Sequence, residues 1–161
     1  MGREKEREIM NKQFYLTRAG VDELNTELES LTGMRSAIAE RIKTAREFGD
    51  LSENAEYTSA RQEQERVEGR IAEIEHILQN VEIITKPQGT NKVRLGSVVK
   101  LKADGKTKEF QVVGTVEADP LNGKISDESP IGQALMGKKE GEEVEIKTPI
   151  ETAIYRIVAV A

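Results

Sequence analysis

Two carboxylates three residues apart, Asp50 and Glu53, stand in the run Gly49-Asp50-Leu51-Ser52-Glu53-Asn54, with Arg46 before it and Arg61 after it. A carboxylate pair can ligate Mg²⁺, but that ion demands six oxygens, usually keeps waters and readily takes phosphate ligands, so two acids alone hold it poorly. The chemistry closes if the run enters another protein's site that supplies the remaining ligands and a second metal, as in in-line phosphoryl hydrolysis. The arginines would then meet a phosphate backbone. A plainer reading stands beside it: Asp50 to Glu53 has the acidic capping-box spacing, and both acids could merely start a helix whose dipole favours them. Other chemistries lack their parts. The chain has no cysteine and one histidine, His76, which excludes thiolate zinc sites, disulfide scaffolds and Ser-His-Asp or Cys-His nucleophiles.

The elements that must position the acids are legible on either side. Leu24, Leu28, Leu31, Arg35, Ile38, Ile42 and Ala45 alternate by four and three, the spacing of a coiled-coil seam with one charged intruder. Thr17 reads as the N-cap of this helix and Gly49 as its stop. Tyr57, Ala60, Gln64, Val67, Ile71, Ile74, Leu78 and Val81 repeat the alternation after the turn. Antiparallel partners should have a constant sum of residue numbers, and Ala45 with Tyr57 through Leu24 with Leu78 all give 102, which centres the turn near Leu51. At ~1.5 Å per residue, the stretch from Leu24 to Asp50 spans about 39 Å. The layers toward the base are Leu and Ile, so burial is expected to hold the base far more than the tip. His76, between two seam positions, reads as solvated.

Of 161 residues, 33% are charged and 4% aromatic, which suits helices sharing a narrow seam rather than a large catalytic core. The net charge of −5 excludes a protein drawn as a whole to polyanions, so any nucleic-acid contact must be local. Residues 1–85 carry 12 basic and 18 acidic side chains, residues 86–161 carry 12 and 11, and the two parts differ in kind. No run of about 18 apolar residues could span a bilayer, and Met1 to Met10 lacks the apolar core of a signal peptide, so a cytoplasmic protein that meets no membrane is expected.

Lys86 to Asn91, with its Pro and Gly, reads as a linker and places the domain boundary, giving a hairpin over 10–85 and a second domain over 86–161. Ser97–Ala103 and Thr107–Val113 are β-rich runs joined at Asp104-Gly105, a strong hairpin signal. Val144–Lys147 and Ala153–Val160 supply two more strands, and Ile131–Met136 reads as a short helix with Ser129 as cap and Pro130 at its first position. The expected fold is α+β: a coiled-coil hairpin followed by a small antiparallel sheet with one helix. Lys100, Lys102, Lys106 and Lys108 read as a charged solvated face, with nucleic-acid contact as the alternative.

Ala45-Arg46-Glu47-Phe48-Gly49-Asp50-Leu51-Ser52-Glu53-Asn54-Ala55-Glu56-Tyr57 resembles the signature of the GreA/GreB transcript cleavage factors, the GreA branch more than the other. The likeness continues through Glu68-Gly69-Arg70-Ile71, Ser129-Pro130-Ile131-Gly132 and Ala134-Leu135-Met136-Gly137-Lys138-Lys139. The first ten residues have no counterpart, and Glu142 stands where Asp is expected after Gly141. The resemblance implies an FKBP-like second domain and a monomeric factor that binds RNA polymerase, enters its secondary channel with the coiled coil, and stimulates the polymerase's own cleavage of backtracked RNA. It is therefore not an enzyme alone. It further implies that Asp50 and Glu53 hold Mg²⁺ in the polymerase active site, with none bound by the chain alone, and position the attacking water. Arg46 and Arg61 map onto contacts to the RNA 3′ end. Gly49, Asn54, Glu56 and Tyr57 shape the loop, and Ser126, Asp127, Glu128, Ser129 and Pro130 map onto the polymerase-docking surface.

Rival functions are a secondary-channel inhibitor, a coiled-coil adaptor without cleavage activity, and a prolyl isomerase. Inhibitory relatives carry a differently charged tip, whereas the acids here follow the activating pattern. An isomerase pocket needs clustered aromatics, and the second half has only Phe110 and Tyr155.

Overall fold

The computed structural model describes residues 13–50, 54–85, 89, 91–147 and 149–161. The chain is α+β and divides into two compact units, Val21–Asn80 and a second one that joins the segment ending at Gly20 to Val81–Ala161.

In the helical unit, α1 (Arg18–Arg46) and α2 (Ala55–Gln79) form the hairpin. Ile38, Ile42, Ala60, Val67 and Ile71 make its buried cluster, with Leu28, Leu31, Met34 and Tyr57 half-buried against it. The pairing is antiparallel, because three arginines bridge the helices in reversed order: Arg70 to Glu27 (2.7 Å), Arg35 to Glu68 (2.7 Å) and Arg41 to Glu63. Two expectations are corrected. Arg35 leaves the seam, exposed and bidentate on Glu68, and Met34 turns into that layer. Burial is also not weakest toward the tip: Ala45 and Ala60 are 1% and 0% exposed, whereas Leu28 and Leu31 are only half-buried. Small side chains at the last layers let two backbones approach closely, so little apolar volume is needed to exclude water. His76 is half-buried, and its carbonyl accepts the Asn80 amide at 2.9 Å.

The second unit is built on a five-stranded sheet of order β5-β4-β3-β7-β6, with β3 Val98–Ala103, β4 Lys106–Val113, β5 Lys124–Ser126, β6 Glu143–Lys147 and β7 Thr152–Val160. The β3–β4 hairpin turns at Asp104 (φ 50°) and Gly105 (φ 76°), the paired left-handed residues that two-residue hairpins require. Lys100, Lys102, Lys106 and Lys108 are all exposed around this hairpin. Alternation along β3, β6 and β7 sends Val99, Leu101, Val144, Ile146 and Ile157 into one core with Leu135 of α3 (Pro130–Leu135).

The sheet is mixed rather than antiparallel throughout. β4 and β5 run parallel, Gln111 against Lys124 through Val113 against Ser126, because the connection between them contains the 3-10 turns Thr115–Glu117 and Pro120–Asn122 and returns the chain in the same direction. A separate parallel pair joins β1 (Phe14–Leu16) to β2 (Val81–Ile83). Neither strand is read from the sequence, and Val81, expected as the last seam position, instead opens β2; both strands group with the sheet unit. Leu16, 1% exposed, shows why: a short strand is placed by burial and pairing, not by its own periodicity.

Candidate functional site

The turn between the helices is shaped by a small number of polar contacts. α1 ends at Arg46, and the amides of Glu47 and Phe48 bond back to the carbonyls of Thr44 (3.2 Å) and Ala45 (3.3 Å). Gly49 then takes φ +98°, a left-handed conformation that L side chains rarely adopt, and redirects the chain into Asp50, which is exposed. Glu53, with Leu51 and Ser52, lies outside the described residues.

α2 does not start at Asp50. Its N-cap is Asn54, whose Oδ1 accepts the Tyr57 amide at 3.1 Å. The same side chain donates from Nδ2 to the Ala45 carbonyl at 2.6 Å, tying the end of α1 to the start of α2. The capping reading of Asp50 is thereby overturned: the cap falls four residues later, since an amide can serve both helices and a carboxylate cannot donate. Glu56 meets Arg41 at 3.1 Å across the hairpin, and Tyr57 is half-buried in the last layer. Of the loop-shaping residues read from the resemblance, Gly49, Asn54, Glu56 and Tyr57 each occupy a distinct structural place.

The two arginines differ in setting. The Arg46 guanidinium carbon lies 5.8 Å from the Tyr57 ring centroid, within cation–π range, whereas Arg61 donates to Gln64 Oε1 at 2.7 Å along its own helix. Both are exposed. Among the described residues no group of three His, Asp or Glu side chains could hold a metal ion. Asp50 offers the hard carboxylate oxygen that Mg²⁺ prefers, so the donor chemistry fits that ion while the donor number falls short.

In the sheet unit, Ser126 is 8% exposed and its hydroxyl accepts the Glu128 amide at 3.1 Å. Ser129 caps α3 by accepting the Gly132 amide at 3.1 Å, and donates to the Ser126 carbonyl at 2.6 Å. Both serines thus hold the segment's shape. Glu128 and Pro130 are exposed and Asp127 half-buried. Sequence reasoning missed their neighbours: Phe14, Tyr15, Gly114 and Thr115 line a groove of about 180 Å³ together with Asp127 and Glu128. The aromatic pair Phe14-Tyr15, separated from the Thr17 cap by Leu16, was the available signal.

The fold and the turn define an α+β protein that carries a coiled-coil hairpin with a shaped acidic turn. Residues 14–83 match the family described as "Transcription elongation factor, N-terminal" and residues 87–161 the one described as "Transcription elongation factor, GreA/GreB, C-term". Transcription elongation factor GreA of Bacillus subtilis (strain 168) is 46% identical over 153 residues, covering 93% of this chain and 98% of its own. That of Roseiflexus castenholzii is 48% identical over 148 residues, covering 89% and 94%. A crystal structure of GreA factor homolog 1 of Thermus thermophilus shares 32% identity at a TM-score of 0.44, covering 93% of this chain and 99% of its own. The chain belongs to the GreA/GreB family of transcription elongation factors. Among the described residues no helix is long and apolar enough to cross a membrane.

Proposed function

We propose that this elongation factor stimulates the intrinsic RNA cleavage activity of a backtracked RNA polymerase by presenting its hairpin turn to the active site through the secondary channel. The observation that carries this reading is the turn itself: Asn54, not Asp50, caps α2 and ties it to the end of α1, and Asp50 stands exposed directly after a glycine at φ +98°. Asp50 and Glu53 would hold Mg²⁺ jointly with polymerase residues. The ion, when bound, supplies Lewis-acid activation of a water. Asp50 and Glu53 orient that water and accept from it, Arg46 and Arg61 engage RNA phosphates, and the chain alone performs no turnover. The groove beside Asp127 and Glu128 is the anchoring surface on polymerase, and the factor works as a monomer.

The test is a stalled, backtracked elongation complex with labelled RNA. Asp50→Ala or Glu53→Ala should lower stimulated cleavage on the order of a hundredfold or more, the scale of removing a group that acts in the transition state, with polymerase binding intact. Loss of binding instead would make the turn structural. Free RNA cut by the isolated chain with Mg²⁺ would make it a nuclease in its own right. Asp50→Ala that cleaves normally would return the inhibitor or adaptor reading.

A further inference from the structure

Phe48 is 80% exposed, while the other two phenylalanines, Phe14 and Phe110, are half-buried. The ring has nowhere to fold under: the layer below it is closed by Ala45 at 1% and Ala60 at 0% exposure, and Gly49 turns the chain away immediately after it. A hydrophobic staple across the turn would have buried it, yet Tyr57 fills that place and carries the Arg46 guanidinium over its own ring. The turn therefore displays a cation, Arg46, held on the Tyr57 ring and, two residues after that cation, a second aromatic facing water.

That combination is the chemistry of single-strand nucleic-acid binding, in which bases stack on aromatic rings while cations follow the backbone. Stacking is tolerant of sequence because every base has a π-face, a property that an RNA end of arbitrary sequence demands. We infer that Phe48 stacks on an unpaired base of the extruded RNA and, with Arg46 on a phosphate, places the strand against Asp50. This inference rests on the cleavage reading and adds a substrate contact to it. An apolar wall of the polymerase is the competing partner for the ring, and the two separate cleanly because only a base can be deleted from the RNA.

The experiment compares wild type, Phe48→Ala, Phe48→Leu and Phe48→Trp on backtracked complexes whose extruded nucleotides carry either ordinary bases or abasic sites. Loss of one stacked base corresponds to roughly a five- to hundredfold effect. On ordinary RNA, Phe48→Ala and Phe48→Leu should need at least five times more factor for half-maximal cleavage, and Phe48→Trp should match wild type. On abasic RNA wild type should fall to the level of Phe48→Ala. The inference is overturned if Phe48→Ala matches wild type on ordinary RNA, if Phe48→Leu does, or if Phe48→Ala loses as much on abasic RNA, which would put the ring on protein. Wild type that stimulates no cleavage overturns both readings, whereas the other results overturn this one alone. A ring so exposed leaves folding to the seam, so unchanged thermal melting of the variants accompanies each comparison.

Discussion

The Asn54 side-chain amide donates to the Ala45 carbonyl at 2.6 Å while its oxygen caps α2 through the Tyr57 amide at 3.1 Å. One residue thus adds a short second bond to a carbonyl that otherwise holds the Phe48 amide at 3.3 Å at the end of one helix, and satisfies an orphan amide at the start of the next. Asn54→Asp keeps the acceptor and removes the donor; Asn54→Ala removes both. Asn54→Ala should cost about 1 kcal/mol or more of stability and Asn54→Asp less, since a cap is worth about that much. Both should impair stimulated cleavage with polymerase binding retained, because the turn loses its tie to α1. Denaturant unfolding and the cleavage assay read the two effects; Asn54→Asp with full cleavage activity would show that the tie does not shape the acidic turn.

Thr17 and Glu117 form a second long-range tie. The Glu117 carboxylate, 4% exposed, accepts the Thr17 amide at 2.9 Å and hydroxyl at 2.5 Å, and lies 3.4 Å from Lys124 Nζ. Thr17 in turn accepts the Gly20 amide at 3.1 Å, so the first turn of α1 is held in the sheet unit. Glu117→Ala should destabilise that unit by roughly 1–3 kcal/mol, the cost of stranding buried donors. Glu117→Gln retains an acceptor and should cost less. Equal melting curves for Glu117→Ala and wild type would remove this contact from the account of stability.

The seam, the hairpin turn at Asp104-Gly105 and the Ser129-Pro130 helix start were legible because each is a local pattern with one low-energy solution. Thr17 as a cap was equally local, but its partner Glu117 lies 100 residues away and nothing in the sequence ties the two. β1 and β2 were lost for the same reason: three residues carry no period, and the strands pair across the whole length of the hairpin that separates them in sequence. The parallel turn of the chain at β5 followed from connection geometry, which a strand pattern does not encode. At the tip, the capping-box spacing pointed to Asp50 as the cap, whereas Asn54 holds it. The carbonyl of Ala45, contributed by the other helix, decides it.

Gly132 and Gly33 predict opposite outcomes for the same substitution. A Cβ built on Gly132 would sit 1.9 Å from the Ser126 carbonyl oxygen and 2.8 Å from its carbon, backbone atoms with no rotamer to move. Gly132→Ala should therefore displace the Ser126–Pro130 segment, lowering both stability and polymerase affinity. A Cβ on Gly33, exposed within α1, meets nothing within 4 Å. Gly33→Ala should stabilise the helix by about 0.5–1 kcal/mol through reduced chain entropy and better propensity, with cleavage activity unchanged. Polymerase binding by Gly132→Ala at wild-type strength would detach this segment from the anchoring surface.

The cross-helix arginines make the hairpin acid-sensitive. The side-chain hydrogen bond from Arg70 holds the Glu27 carboxyl below its ordinary value of 4.5, and Arg35 does the same for Glu68. A carboxyl depressed in the folded state adds stability that is fully present above its unfolded value and is lost as pH falls through the lower folded one. The hairpin should thus keep its stability from neutral pH down to about 4.5 and lose part of it below, as the two carboxylates protonate and release their arginines. These are exposed pairs, so the loss per pair should be small and should shrink further in high salt. Thermal melting of wild type and of Glu27→Gln/Glu68→Gln across this range checks the sign: the double variant should melt lower at pH 7, and the two curves should converge as pH falls through the lowered folded-state values. A gap that stays constant with pH would show that packing by these side chains, not their charge, supports the hairpin.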